Sequence, residues 1–171
     1  MKIFPLFIAF ILPALAVDSV VTFNEVHYNP DTGSEWIEIH NQMAINVDLS
    51  GWELTGGADF VIPAGTTIPG GGYFIIAKNP AEAIFSGLRV DGPFDGALSN
   101  SGETIRLRSS SGRLMDELDY EDSGQWPIGP DGSGATLSKL NQSFLSDKSS
   151  SWASSSQLGG CLLYTSPSPR D

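Results

Sequence analysis

The sequence has little of what most catalytic or scaffold chemistries need. It holds one cysteine, Cys161, and two histidines, His27 and His40, in 171 residues. One cysteine excludes a disulfide framework and a cysteine-based zinc site. Nine basic residues face 20 acidic ones, for a net charge of −11. So acidic a chain lacks the clustered Lys and Arg that binding to a phosphate backbone requires, and nucleic acid is not an expected partner. Nothing keeps a helical hydrophobic period for ten residues or more. The zinc-protease, phosphate-loop and dinucleotide motifs are all missing. Gly70-Gly71-Gly72 precedes a strand-like run rather than a helix, so it lacks the helix N-terminus that would hold a phosphate.

What is present is 19 Gly, 11 Pro, four Trp and a 40% hydrophobic content, with only 17% charged residues. That composition excludes a disordered acidic chain and fits short strands joined by many turns. Both ends read differently from the middle. Met1-Lys2, the apolar run Ile3–Leu15 and the small residues Ala14 and Ala16 predict a signal peptide over 1–16, cleaved after Ala16. The run is shorter than the roughly 20 residues of a membrane span, so no membrane insertion is expected after cleavage. A secreted, extracellular or cell-surface location follows. At the other end, Cys161 to Asp171 reads as an in-frame translation of a transposase-type sequencing adapter, codon for codon over 11 residues. Residues 161–171 are therefore expected to be an artefact on a gene cut at about Gly160. Without the two ends, residues 17–160 carry seven basic and 19 acidic residues, a net charge of −12.

Between the ends, apolar runs alternate with turn residues. Val20–Tyr28 predicts a strand, and Asn29-Pro30-Asp31-Thr32-Gly33 the turn after it. In Glu35–His40 the residues alternate, with Ile37 and Ile39 on one face and Trp36, Glu38 and His40 on the other. Further strands are expected at 47–49, 52–55, 60–63 and 73–77, with one helical turn near Ala81–Phe85. Thr104–Arg108 and Leu114–Tyr120 read as a hairpin, and Gly134–Leu140 as the last strand. The Ser-rich stretch from Ser143 to Gly160 reads as a tail pinned by Trp152 or as a linker. Seven to nine short strands in this length favour a β-sandwich.

The order of motifs resembles the lamin tail domain, an immunoglobulin-like sandwich. The matching segments are Glu35-Trp36-Ile37-Glu38-Ile39-His40-Asn41, Leu49-Ser50-Gly51-Trp52-Glu53-Leu54 and Phe60-Val61-Ile62-Pro63. Thr67-Ile68-Pro69-Gly70-Gly71-Gly72-Tyr73 and the run from Ala97 to Leu107 complete them. The opening Phe23–Pro30 and the close from Trp126 to Leu137 are similar to secreted bacterial members. The resemblance spans about 19–158 and implies an all-β, lamin-tail-type sandwich filling 17–160. With a signal peptide in front, it implies a module of a larger extracellular protein rather than the filament and chromatin role of nuclear members.

Candidate chemistry is sparse. Hairpin pairing sets His27 opposite Trp36 and leaves His40 about 13 Å along, at 3.3 Å per residue, too far to share a metal. No catalytic residue is assigned and no enzyme activity is expected. Asp31 and Glu35, with Ser34, are calcium candidates through their oxygens; no other cofactor is indicated. Asp116, Glu117, Asp119, Glu121 and Asp122 form the densest acidic run, expected to be a solvated face that protects a sheet edge. Trp36 on a polar face is either covered by a loop or exposed as a binding anchor. If exposed, Trp36, His40 and Tyr28 would make an adhesion or sugar-stacking patch. The expected role is a non-catalytic extracellular binding or tethering module whose partner is a protein, a polysaccharide or a cell-surface ligand. The alternatives are an accessory domain of a secreted enzyme and a structural repeat unit of a surface protein.

Overall fold

Residues 20–162 are described by the computed structural model; the expected signal peptide and residues 163–171 of the expected adapter segment lie outside them. Thirteen strands run in chain order among the described residues. They are β1 (Val21–His27), β2 (Trp36–Asn41), β3 (Val47–Asp48), β4 (Glu53–Thr55), β5 (Ala58–Val61), β6 (Thr67–Ile68) and β7 (Tyr73–Ala77). Then follow β8 (Val90–Asp91), β9 (Asp95–Gly96), β10 (Gly102–Arg108), β11 (Leu114–Glu121), β12 (Leu137–Lys139) and β13 (Trp152–Ser154). The expected helical turn is a 3-10 turn at Ala83–Phe85. Among the described residues no helix is long and apolar enough to cross a membrane.

Two sheets face each other. One has the order β13-β12-β1-β2-β7-β8 and the other β11-β10-β4-β5-β9, with β3 and β6 pairing beside them. The core between them takes Val21, Phe23 and Val26 from β1, Ile37 and Ile39 from β2, and Ile105 and Leu107 from β10. The inward alternation of β1 would break between Phe23 and Val26, three residues apart. A bulge repairs it: Phe23 pairs with Ile39 and Glu25 with Glu38, leaving Asn24 as the extra residue. At the far end of β2, Asn41 is fully buried. Its amide donates to the carbonyls of Ile45 at 2.8 Å and Pro69 at 2.9 Å, while its Oδ1 accepts the Met43 N–H at 3.0 Å. This asparagine closes the 42–46 loop, which gives the last residue of the Glu35–Asn41 motif a structural purpose.

The β4–β5 hairpin turns through Gly56 and Gly57, both at positive φ (96° and 82°), a conformation that glycine adopts without steric cost. A Cβ on Gly56 would stand 2.1 Å from the Thr104 carbonyl oxygen, so β10 can approach only a glycine there.

Three expectations are decided here. The stretch after Ser143 is pinned to the sandwich by the buried Trp152, as one of its two readings had it, and is not a linker; beyond that reading, Trp152–Ser154 pairs with β12 as a further strand. β12 is therefore not the last strand. Of the two placements open to Trp36, the covered one holds, and Glu38 and His40 on the same face of β2 are buried with it. Finally, the acidic run is divided. Asp119 and Glu121 are exposed on the edge strand β11, as edge protection requires, but Asp116 points inward and is buried.

Candidate functional site

Position along β1 and β2 determines where the candidate residues fall. His27 pairs with Trp36, next to the turn that joins the strands, and His40 pairs with Thr22 at the other end. The two histidines are thus held apart by the length of the hairpin. Around the turn, three stretches distant in sequence meet: Asp31–Ser34, the 3-10 segment with Glu82 and Ile84, and the C-terminal segment with Leu158 and Gly159. They enclose a cleft of about 590 Å³.

Trp36 forms its floor and is 1% exposed. Its ring meets Phe85 edge-on at 6.5 Å and His27 edge-on at 5.8 Å. The chain crosses it at Gly160, whose φ is +91° and whose added Cβ would lie 2.8 Å from Trp36 Cζ2. The C-terminal segment is anchored beyond this crossing, because the Cys161 N–H donates to both carboxylate oxygens of Glu25 at 3.0 and 3.2 Å. Glu25 also accepts from the Thr136 hydroxyl. Burial pushes the Glu25 carboxyl up, and these two bonds partly offset it.

The exposed aromatic patch considered from sequence does not form. Trp36 lies under the 3-10 turn and the C-terminal segment. Tyr28 is 1% exposed and stacks on Tyr120 at 4.6 Å inside the core. Burial pushes the Tyr28 phenol up to about 12. His40 is 7% exposed and sits against the Tyr73 ring at 4.6 Å. The two sequence-predicted calcium ligands also separate. Asp31 lines the large cleft, whereas Glu35 faces a second cleft of about 280 Å³ with Tyr28, Lys78 and Asn100. Among the described residues, no three His, Cys, Asp or Glu side chains converge as a metal would need.

Three of the residues that line the cleft hold unspent hydrogen-bonding capacity beneath its surface. His27 Nε2, Ser34 Oγ and Trp36 Nε1 are buried and have no hydrogen-bond partner among the described residues. Glu82 is tied to one rim by accepting the Ser34 N–H at 3.3 Å. Burial pushes the His27 imidazole down, against the nearby charges of Asp31 and Glu82, and so favours its neutral form. Sequence reasoning had Asp31, Ser34, His27 and Trp36 but not Glu82, Ile84 or Leu158. No periodicity or motif signals those three, because they reach the hairpin only through the packing of loops.

A second polar cluster was also missed. Lys139 Nζ donates to Ser146 Oγ at 2.7 Å, and that hydroxyl donates to Asp116 Oδ2 at 2.6 Å. The signal was available: Lys139 stands two residues after the core residue Leu137, on the same face of β12.

The two facing sheets and the β-bulged first hairpin define an immunoglobulin-like β-sandwich module. Within that class, a family model described as Lamin Tail Domain matches residues 16–122, well over half of the chain. The chain belongs to the lamin tail domain family, a family of non-enzymatic immunoglobulin-like domains. Strands β12 and β13 lie beyond the matched residues and complete the six-stranded sheet. A comparison with curated proteins returned no match.

Proposed function

We propose that this domain is a non-catalytic extracellular binding module that tethers a larger secreted or surface protein to its partner. The observation that carries the reading is the cleft at the β1–β2 turn. It is built from loops at one end of a rigid sandwich, the place where such scaffolds present variable binding surfaces. Asp31 and Glu82 line it, and their carboxylate oxygens can accept hydrogen bonds from a partner. The apolar Ile84 and Leu158 at its rim are exposed and supply contact area. The partner is a protein, a polysaccharide or a cell-surface ligand; the charge of −11 disfavours nucleic acid. The reading invokes no cofactor.

The test is to express the full chain with a C-terminal reporter in a secretion-competent host. The expected product is found outside the cytoplasm, begins at Val17, and co-sediments with cell-envelope and extracellular-matrix material. Retention inside the cell with Met1 intact, or no association with such material, overturns the reading. So does turnover by the purified chain on a panel of hydrolase substrates.

A further inference from the structure

The four edges of the two sheets are not alike. Three of them end on short strands: β8 and β9 of two residues and β13 of three. Strands this short give another chain little backbone to pair with. The fourth edge is β11, whose eight residues make it the longest strand among those described. It pairs with β10 alone. Among the described residues, no N–H or C=O of Leu114–Glu121 makes a backbone hydrogen bond to any other segment.

The first half of β11 is tied down at Asp116, which accepts from Phe23 of β1 and from Ser146. From Glu117 onward the strand borders open space. A groove of about 430 Å³ is lined by Asp119, Glu121, Trp126, Asp147 and Ser150. A smaller cleft of about 250 Å³ shares Asp147 with it and adds Glu117 and the exposed Leu145. Neither shares a residue with the cleft at the β1–β2 turn, so this surface stands apart from the tethering site proposed above.

A long open edge is a template for an added strand, and the charge along it decides which strand fits. Asp119 and Glu121 are exposed. The bases beside them are already engaged: Arg106 with Glu117 at 2.6 Å and Lys148 with Asp147 at 2.8 Å. A second copy of this chain would set the same acids against each other across the new pair, which is destabilising. A metal ion is not the occupant, since among the described residues no three His, Cys, Asp or Glu side chains converge. An extended segment with Lys or Arg at every second position does fit. Its cations would share one face and meet Glu117, Asp119 and Glu121, which recur with the same period of two. The half-buried Trp126 offers those cations an aromatic surface.

We propose that β11 is a docking edge for a basic extended peptide of a partner protein, which joins the five-stranded sheet as a further strand. The acids of β11 then do two things. They keep copies of this chain from pairing edge to edge, and they select a partner of opposite charge.

The test is calorimetric titration of the full chain with an end-blocked six-residue peptide in which lysine and threonine alternate. Binding is expected, weaker at higher salt, with shifts of the β11 amide signals in ¹⁵N-edited spectra. The same peptide with glutamate in place of lysine should not bind. Two further versions carry N-methyl groups at the odd or at the even positions. Successive N–H groups point to opposite sides of a strand, so one version should lose roughly tenfold or more in affinity while the other keeps it. D119N/E121Q should also bind roughly tenfold or more weakly; D119N keeps an acceptor for the Thr104 hydroxyl, and thermal melting confirms the fold. D59N/D95N removes two exposed acids at the opposite edge of the same sheet and should bind like the parent chain.

No binding of the alternating basic peptide overturns the proposal. Equal affinity of the two N-methylated versions would mean that the strand edge is not read, and unchanged affinity in D119N/E121Q that the site is elsewhere. Equal weakening in D59N/D95N would reduce the effect to net charge. Each of these overturns it and leaves the tethering reading of the other cleft untouched.

Discussion

The carboxylate of Asp116 on β11 accepts the backbone N–H of Phe23 on β1 at 2.8 Å, a hydrogen bond that crosses from one sheet of the sandwich to the other. The same Oδ2 accepts from Ser146, which in turn takes a bond from Lys139. Trp152 Nε1 donates to the Ser146 carbonyl at 2.9 Å. One buried chain of polar groups therefore links both sheets and the segment that leads into β13. It joins a buried acid to a buried base through a serine, and the two charges compensate each other only while both are present.

Removing one charge should accordingly cost more than removing both. D116A is expected to lose about 3–5 kcal/mol of stability, because it leaves the Lys139 ammonium buried without its counter-charge. The double variant D116L/K139M, which fills the site with apolar groups of similar size, is expected to be more stable than D116A and than K139M. Urea denaturation of the parent chain, D116L, K139M and D116L/K139M measures the coupling as a double-mutant cycle, with D116A measured beside them. Additive losses would show that the two residues are not coupled.

The buried histidines predict an acid-side loss of stability. Burial pushes both His27 and His40 below their ordinary value. As pH falls below about 6.5, the unfolded chain takes up protons at these positions before the folded chain does. Stability is lost from there down to the folded-state values and levels off below them. Glu25, Glu35 and Asp116 act in the opposite direction, since burial pushes each of them up; the folded chain protonates first, and stability from these groups is gained as pH falls toward their ordinary range. The histidine contribution is isolated by comparing melting temperature against pH for the parent chain and H27Q/H40Q. The variant should lose less between pH 7.5 and 5.5. Parallel curves would mean that the histidines do not contribute.

Gly56→Ala tests the β4–β5 turn. The alanine would have to hold a positive φ and place its Cβ 2.1 Å from the Thr104 oxygen. The backbone conformation alone costs about 1–3 kcal/mol, and the clash with β10 adds to it. Gly65, also at positive φ but with open space around it, is the control: G65A should show the backbone cost without the clash. Equal melting temperatures for the two variants would contradict the close approach of β10.

Most of the strand order is legible in the amino-acid sequence. Alternation in Glu35–His40 and Thr104–Arg108 marks which residues share a face, and the turn at Asn29–Gly33 sets the hairpin pairing of His27 with Trp36. The buried asparagine at the end of β2 is visible there only as a motif letter, because its role depends on the carbonyls of Ile45, Ile68 and Pro69 that surround it. The inward aspartate is half legible. Asp116 falls on the same face as Leu118 and Tyr120, yet the density of acids around it points to solvent.

The sequence by itself determined the all-β class, the turns, the inward apolar faces and the family, because a period of two and the positions of glycine, proline and asparagine are local properties of the chain. Whether the second face of β2 met water was decided only by the tertiary structure, as were the strand at Trp152 and the meeting of Asp31, Glu82 and Leu158 at one cleft. Alternation states which side chains point together; what lies against them depends on segments far away along the chain, and no local pattern encodes that distance.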